Sequence, residues 1–400
     1  MRILQINALL EYGSTGRSAI ELSDYLEKKG YESWIAYSRC LKPVKNSYRI
    51  NSDFDVKIHG LMSRITGLQG YFSYFATKRL IKFMKEKNFD LVVLGNLHSN
   101  FVNIPMLFKY FTDYKIPVVI VLHDCFMYTG KCCHYTEDNC YKWQTECRNC
   151  KFFKKNNPSW FFDRTNKLYN MKKKYYSEMY PLAVIGVSKW ITNEAKKSVL
   201  KNAKIINTVY NWVDLEVFCP KTNDLKNKYK LKDKFVILGV ASGWGKGKGI
   251  DLFYKLAEVL PDNCHIVLVG KNDNKKENDN ITYIDETHDV FELAEIYNMA
   301  DVFLNLSLEE SFGKVSAEAL SCGTPLITTN TTANPELVGE NCGYVLENRD
   351  IDTILKYVNI VKENKKEFYT DFARKFSEDN FDKNKNLQKY LYIFNDLLKG

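Results

Sequence analysis

The feature that most limits how this chain can fold is a series of short apolar runs that end in small or polar residues. In the first half these are "RILQINA", "YESWIAY", "FDLVVLGN", "IPVVIVLHD" and "LAVIGVS". The last three carry almost no polar alternation, as expected of parallel strands buried on both faces. Helix-length segments lie between the runs; residues 18–29 show helical spacing of apolar positions. After residue 230 the pattern restarts with "FVILGVAS", "CHIVLVG", "ITYID", "DVFLNLS" and "TPLITT", interleaved with helices expected at Ile250–Leu260, near residues 289–299 and in "FGKVSAEALSCG". The chain therefore reads as two successive α/β units, and 400 residues with 45% apolar side chains are enough to fill two cores. The segment 211–234, poor in apolar periodicity and rich in Asn, Asp and Lys, is the expected linker.

Charge and hydropathy narrow the class of partner. No run approaches ~18 uninterrupted apolar residues, and "MRILQINALL" reads as a strand rather than a leader. The expectation is a cytoplasmic protein without membrane spans. A net charge of +9 with 26 Tyr and 24 Phe suits a glycan or the surface of an anionic membrane, and nothing sharper points to nucleic acid.

In open parallel sheets, ligands sit beyond the carboxyl ends of the strands, so the ligand of two such units is expected between them. The stretch "LEESFGKVSAEALSCGTP" follows a strand and opens a helix at Gly313, whose free N–H groups favour a phosphate. Glu310 falls in the loop; Glu318 falls inside the helix among small apolar neighbours, where it needs hydroxyl donors or else marks a solvated face. "GSTGR", with Gly16 and Arg17, reads as a flexible loop before a helix, suited to an anion or serving as a plain turn. His123 and Asp124 end one strand and His98 follows another. "DFD" at residues 53–55 precedes a helical run away from these strand ends and is not placed to hold a donor-bound divalent cation.

These pieces together resemble the retaining glycosyltransferases of family 4, of the kind associated with exopolysaccharide or capsule biosynthesis. Carrying the resemblance are the E-x7-E pair Glu310 and Glu318 in "EESFGKVSAEALSCGTPLI", "STGR", "HD" at 123–124, "VSKW", "YNWVDLEVFCP" and "KGKGIDLF". The resemblance implies a GT-B fold, two Rossmann-like α/β/α domains facing each other across a cleft. Residues 1–212 would form the acceptor-side domain, residues 213–380 the nucleotide-sugar domain, and residues 381–400 a helix packing back on the first. It implies transfer of a sugar from a nucleoside diphosphate-sugar to a glycan or lipid-linked acceptor with retention, without a catalytic metal. Glu310 would contact the donor sugar, Glu318 the ribose, the backbone of Phe312, Gly313 and Lys314 the diphosphate, and Lys248 the departing phosphates. Lys246 is the alternative second cation, because Gly243 stands where many members carry Arg. Gly16 and Arg17 would also face the donor, His123 the reacting sugar, and His98 and Asp124 the acceptor. An epimerase or phosphorylase on the same fold, or an inactive sugar-nucleotide-binding subunit, remains an alternative.

Six of the eleven cysteines crowd into residues 125–150. Three readings stand side by side: free thiols, disulfides, or a structural zinc held by Cys140, Cys147, Cys150 and either Cys132 or Cys133.

Overall fold

The computed structural model describes every residue except Tyr12, Pro43, Asn156, His288 and Gly400. It divides into two compact units, one comprising Met1–Val209 with Leu387–Gly400, the other Tyr210–Asn386.

The first unit is built on a seven-stranded, wholly parallel sheet of β1 (Arg2–Leu10), β2 (Glu32–Cys40), β3 (Ser47–Arg49), β4 (Leu91–Leu94), β5 (Val118–Leu122), β6 (Leu182–Gly186) and β7 (Ile205–Thr208). Their spatial order is β3-β2-β1-β4-β5-β6-β7. Every residue of β4, β5 and β6 is buried, which is why these three runs lack polar alternation. The second unit repeats the plan with β8 (Phe235–Gly243), β9 (Cys264–Lys271), β10 (Ile281–Ile284), β11 (Val302–Asn305), β12 (Leu326–Thr329) and β13 (Gly343–Leu346), in the order β10-β9-β8-β11-β12-β13. Its core joins sheet residues such as Ile237, Ile266 and Leu304 to helix residues such as Phe253, Leu256 and Val358. In each unit the strand order reverses between the first strand and its later neighbour, β1 beside β4 and β8 beside β11, and at such switch points the carboxyl ends leave a crevice for a ligand.

Two expectations need correction. The segment 211–234 is not a free linker, because Trp212, Val213 and Phe218 are at most 4% exposed. Arg374, on the helix Lys366–Asn380, donates to the carbonyls of Phe218 (2.8 Å), Leu215 (3.2 Å) and Ser321 (3.2 Å) and binds the Glu378 carboxylate at 2.7 Å. Apolar residues at irregular spacing carry no periodic signal, but they still bury when a cation satisfies the surrounding carbonyls. The second correction concerns "GSTGR", which is not a loop; the helix Gly13–Lys28 already begins at Gly13. A Cβ on Gly16 would lie 3.0 Å from the Glu11 nitrogen and 3.2 Å from the Leu9 oxygen, so any side chain here would crowd the backbone at the end of β1. Packing here overrides the poor helix propensity of glycine. The "DFD" acids open the helix Asp53–Thr66, where Asp55 forms a capping box with Ser52 and Asp53 pairs with Arg39 and Arg49.

The Arg374 contacts give a first prediction. Arg374→Met strands several carbonyls and should lower the unfolding free energy by about 1.5–3 kcal/mol, read from denaturant titration; an unchanged midpoint would mean the segment contributes nothing to the fold.

Candidate functional site

In the second unit, the chain leaves β8 through a tight 3-10 turn, Lys246–Lys248, and leaves β11 through Leu306–Leu308. The Leu308 N–H donates to the Gly247 carbonyl at 2.9 Å, zipping the two strand-end loops together. Gly249 makes this approach possible: at its φ of +77°, a Cβ would sit 2.7 Å from the Leu306 Cβ and 2.8 Å from the Leu306 oxygen. The Arg349 guanidinium then donates twice to that same Leu306 carbonyl, at 3.1 and 3.0 Å. As a result Lys248 and Glu310, 62 residues apart, form a direct ion pair with the Glu310 carboxylate largely covered, its side chain 16% exposed against 38% for Lys248. Lys246 lies exposed on the same turn.

Glu310 is fixed through its backbone as well. Its N–H donates to Thr332 Oγ1 at 2.8 Å and its carbonyl accepts from the Ala333 N–H at 3.2 Å. Phe312 is buried, with its ring 6.0 Å from Tyr210 and 5.4 Å from Phe381, so the ring anchors the loop and its backbone is what remains for a ligand. Gly313 caps the helix Lys314–Ser321 in the left-handed conformation. One turn further, Glu318 is 2% exposed and accepts the Tyr297 hydroxyl at 3.1 Å, which rules out a solvated helix face. The two motif acids therefore have different surroundings.

Sequence reasoning missed the polar lattice under this loop. Asn305 Nδ2 donates to Ser316 Oγ (2.9 Å) while its Oδ1 accepts the Ser307 N–H (3.2 Å). Asn334, fully buried, donates to Thr329 Oγ1 at 2.8 Å, and that hydroxyl donates to the Ser307 carbonyl at 2.7 Å. The signal available was the cluster of Asn, Ser and Thr just past two strand ends, in "LNLS" and "TTNTTANPE".

In the first unit, His98 lies beyond β4 and Asp124 beyond β5, on neighbouring strands. His98 Nε2 meets Asp124 Oδ2 at 3.0 Å, and the other Asp124 oxygen accepts the Phe126 N–H at 2.8 Å. Burial pushes the Asp124 carboxyl up, but the His98 contact and the Phe126 N–H outweigh it and leave it below its ordinary value. The Cys133 sulfur joins this pair, with all three ligand atoms within 4.8 Å of one another. His123 is half-buried just before Asp124, and Gly16 and Arg17 lie in the first turns of the Gly13–Lys28 helix. The following stretch is organised by Lys172, which sequence reasoning also missed. Its buried ammonium donates to the Phe126 carbonyl and to the Thr129 carbonyl (2.9 Å), and burial pushes its pKa down to about 7. All eleven cysteines are free, so the disulfide reading is corrected: no sulfur of the cluster is bridged to another.

Residues 15–217, just over half of the chain, match the family profile described as Glycosyltransferase Family 4. The chain belongs to that family. Residues 221–379 of this family 4 protein match a second profile, Glycosyl transferases group 1. Among curated relatives, it is 28% identical over 236 residues to N-acetyl-alpha-D-glucosaminyl L-malate synthase of Bacillus anthracis, covering 54% of this chain and 60% of the relative. To the putative colanic acid biosynthesis glycosyl transferase WcaC of Escherichia coli it is 23% identical over 374 residues, covering 88% of each. The matches to the first curated relatives thus span between about half and three fifths of their lengths. Among solved structures, the Anabaena HepE protein in complex with UDP superimposes with a TM-score of 0.68 at 14% identity, covering 99% of this chain and 100% of that one. The fold of the family 4 protein is GT-B.

The depressed Asp124 carboxyl carries a pH signature. Its ionised form is the one the fold stabilises, so its contribution is complete above the ordinary value of 3.8 and is lost as pH falls through the lower folded value. Asp124→Asn should cost about 1–3 kcal/mol at pH 7, and the deficit should shrink below about pH 4. Unfolding titrations at pH 7, 5 and 3.5 check this; a deficit that grows on acidification contradicts it.

Proposed function

We propose that the protein transfers a sugar from a nucleoside diphosphate-sugar to a hydroxyl of a glycan or lipid-linked acceptor, with retention of anomeric configuration, in the biosynthesis of a surface polysaccharide. The observation that carries the proposal is the Lys248–Glu310 pair at the switch point of the second sheet, beside the start of the Lys314–Ser321 helix. An ammonium has three donors, so Lys248 can keep Glu310 while reaching a diphosphate, and its charge stabilises the phosphate that departs. The helix start offers backbone N–H groups at Gly313 and Lys314 to the same phosphates, with Lys246 as a further cation. Glu310, held at its backbone and paired with a cation, is fixed against the reacting sugar, and Glu318 is assigned to the ribose. His123 is assigned to the reacting sugar, His98 and Asp124 to the acceptor side, and Gly16 and Arg17 to the donor phosphates. With no carboxylate assigned as nucleophile, retention would proceed by departure and attack on one face, a diphosphate oxygen taking the acceptor proton. The solved HepE complex with UDP and the colanic acid relative support the donor and acceptor classes.

Peripheral association with the cytoplasmic face of the membrane is part of the proposal. No helix among the described residues is long and apolar enough to cross a membrane. The first unit does expose Phe54, Ile58 and Leu61 on the Asp53–Thr66 helix, and Trp160, Phe161 and Phe162 on a loop tied to that helix by the Trp160 N–H bond to the Arg64 carbonyl. Exposed aromatics on a net-positive chain suit an anionic lipid surface. Phe54→Ser with Phe161→Ser should reduce cosedimentation with phosphatidylglycerol vesicles; equal binding by the double variant would locate the contact elsewhere.

The two motif acids should fail differently. A ribose contact is equal in the ground and transition states, so Glu318→Gln should mainly weaken donor binding and raise KM. A contact to the reacting sugar strengthens as charge develops at its anomeric carbon, so Glu310→Gln should mainly lower kcat. Each loss is about ten- to a hundred-fold, the equivalent of a charged hydrogen bond of roughly 1.5–3 kcal/mol. Donor Kd and single-turnover rates decide: wild-type values in both variants would overturn the proposal.

A further inference from the structure

The chain from His123 to Arg164 crosses more than forty residues between β5 and the helix Thr165–Glu178 with, among the described residues, a single 3-10 turn, Lys142–Gln144, as regular structure. Such a length is unusual inside a compact unit unless something ties it together. Yet it buries Tyr128, Tyr135 and Trp143 almost completely, and Tyr135 gives its hydroxyl to Glu194. Part of the tie is charge-assisted hydrogen bonding: Lys131, 2% exposed, donates to the Lys155 and Asn157 carbonyls at 3.0 and 3.1 Å, and Lys172 holds the Phe126 and Thr129 carbonyls.

A second tie is built into the cysteines. Cys132, Cys140, Cys147 and Cys150 all line one cavity of 290 Å³. The two adjacent cysteines part company there: Cys132 lines the cavity, while Cys133 lies with His98 and Asp124. Of the two residues that the spacing left open as fourth ligand, only Cys132 shares a wall with the other three. The set ends in the knuckle "CRNC", whose two-residue gap suits a single ion.

We propose that Cys132, Cys140, Cys147 and Cys150 bind a structural zinc ion that holds this stretch of chain in place. Four thiol protons leave to solvent as four Zn–S bonds form, giving a tetrathiolate centre of net charge −2. That charge has its counterions: Lys131 lines the same cavity, and the buried Lys172 ammonium lies within electrostatic reach of Cys132 and Cys147. Among the described residues, three ligand atoms lie within 4.8 Å of one another in the group His98, Asp124 and Cys133; no three of the four cavity sulfurs are that close, so they must draw in to about 2.3 Å from the ion as it binds. The His98 group is the poorer centre, because His98 and Asp124 are spent on each other at 3.0 Å and Asp124 also accepts the Phe126 N–H. Four thiolates leave no open coordination position, so the ion does no chemistry on substrate. It positions Cys133, next in sequence to a ligand, against the His98–Asp124 pair.

The test uses the full chain purified with reductant and zinc. Metal analysis should give about one zinc per chain, and exchange for Co(II) should give the intense sulfur-to-cobalt charge-transfer and visible bands of a tetrahedral tetrathiolate site. Cys140→Ser and Cys147→Ser should each lose the metal; Cys133→Ser should keep it. If the serine variants do not fold, the wild-type protein suffices: a mercurial titration should release the zinc as four thiols react, and chelation should raise hydrogen exchange in residues 125–150. A reduced, folded wild-type protein that takes up no zinc overturns the proposal. So does a Cys133→Ser variant that loses the ion while Cys132→Ser retains it.

Discussion

The hydrogen bond from Leu308 to the Gly247 carbonyl is the contact on which the second unit's candidate site depends. It joins two loops that leave adjacent strands, and it forms only because position 249 has no side chain to strike Leu306. Everything of chemical interest there follows from that closeness: a lysine from one loop and a glutamate from the other, 62 residues apart, become a pair. The buried amides of Asn305 and Asn334 then stiffen the arrangement by satisfying the backbone groups that the strand ends leave exposed. A single close approach of backbone, secured by a glycine, holds the two loops together.

The strands were legible where apolar residues ran together, or alternated with polar ones, up to a small or polar end. Ten expected runs correspond to β1, β2, β4, β5, β6, β8, β9, β10, β11 and β12. The three unforeseen strands are short: β3 and β13 close the edges of their sheets, as does β7. Edge strands have a neighbour on one side only, and "SYR", "IINT" and "GYVL" mix polar, small or exposed residues with apolar ones, so neither period nor composition marks them. The segment 211–234 misled for a related reason. Its burial of Trp212 and Phe218 comes from tertiary contacts, Arg374 above all, which have no local signature.

The candidate site was legible as residue types but not as partnerships. Glu310, Lys248, His98 and Asp124 stood out because acids, lysines and histidines after strands are suggestive, yet nothing in the order of residues tells that His98 and Asp124 touch. Pairings of that kind depend on strand order, and strand order is invisible until the sheet is assembled. Lys172 was hidden altogether: a lysine in "NMKKKYY" looks like any exposed helix residue, and only the stack of carbonyls and the Phe126 ring above it reveal why it is buried. The burial of Glu318 under Tyr297 likewise needed the neighbouring helix to be in place.

The helix Lys383–Leu398 begins in the second unit, but from Leu387 onward it counts with the first, where Leu387, Tyr390, Phe394 and Leu397 are buried. This sets an order of events during synthesis. Every strand of the first sheet lies before residue 210, yet the helix residues that complete the first unit are made only after residues 210–386. The unit whose strands are translated first is thus the one completed last. A fragment ending at residue 209 would lack these four buried side chains permanently.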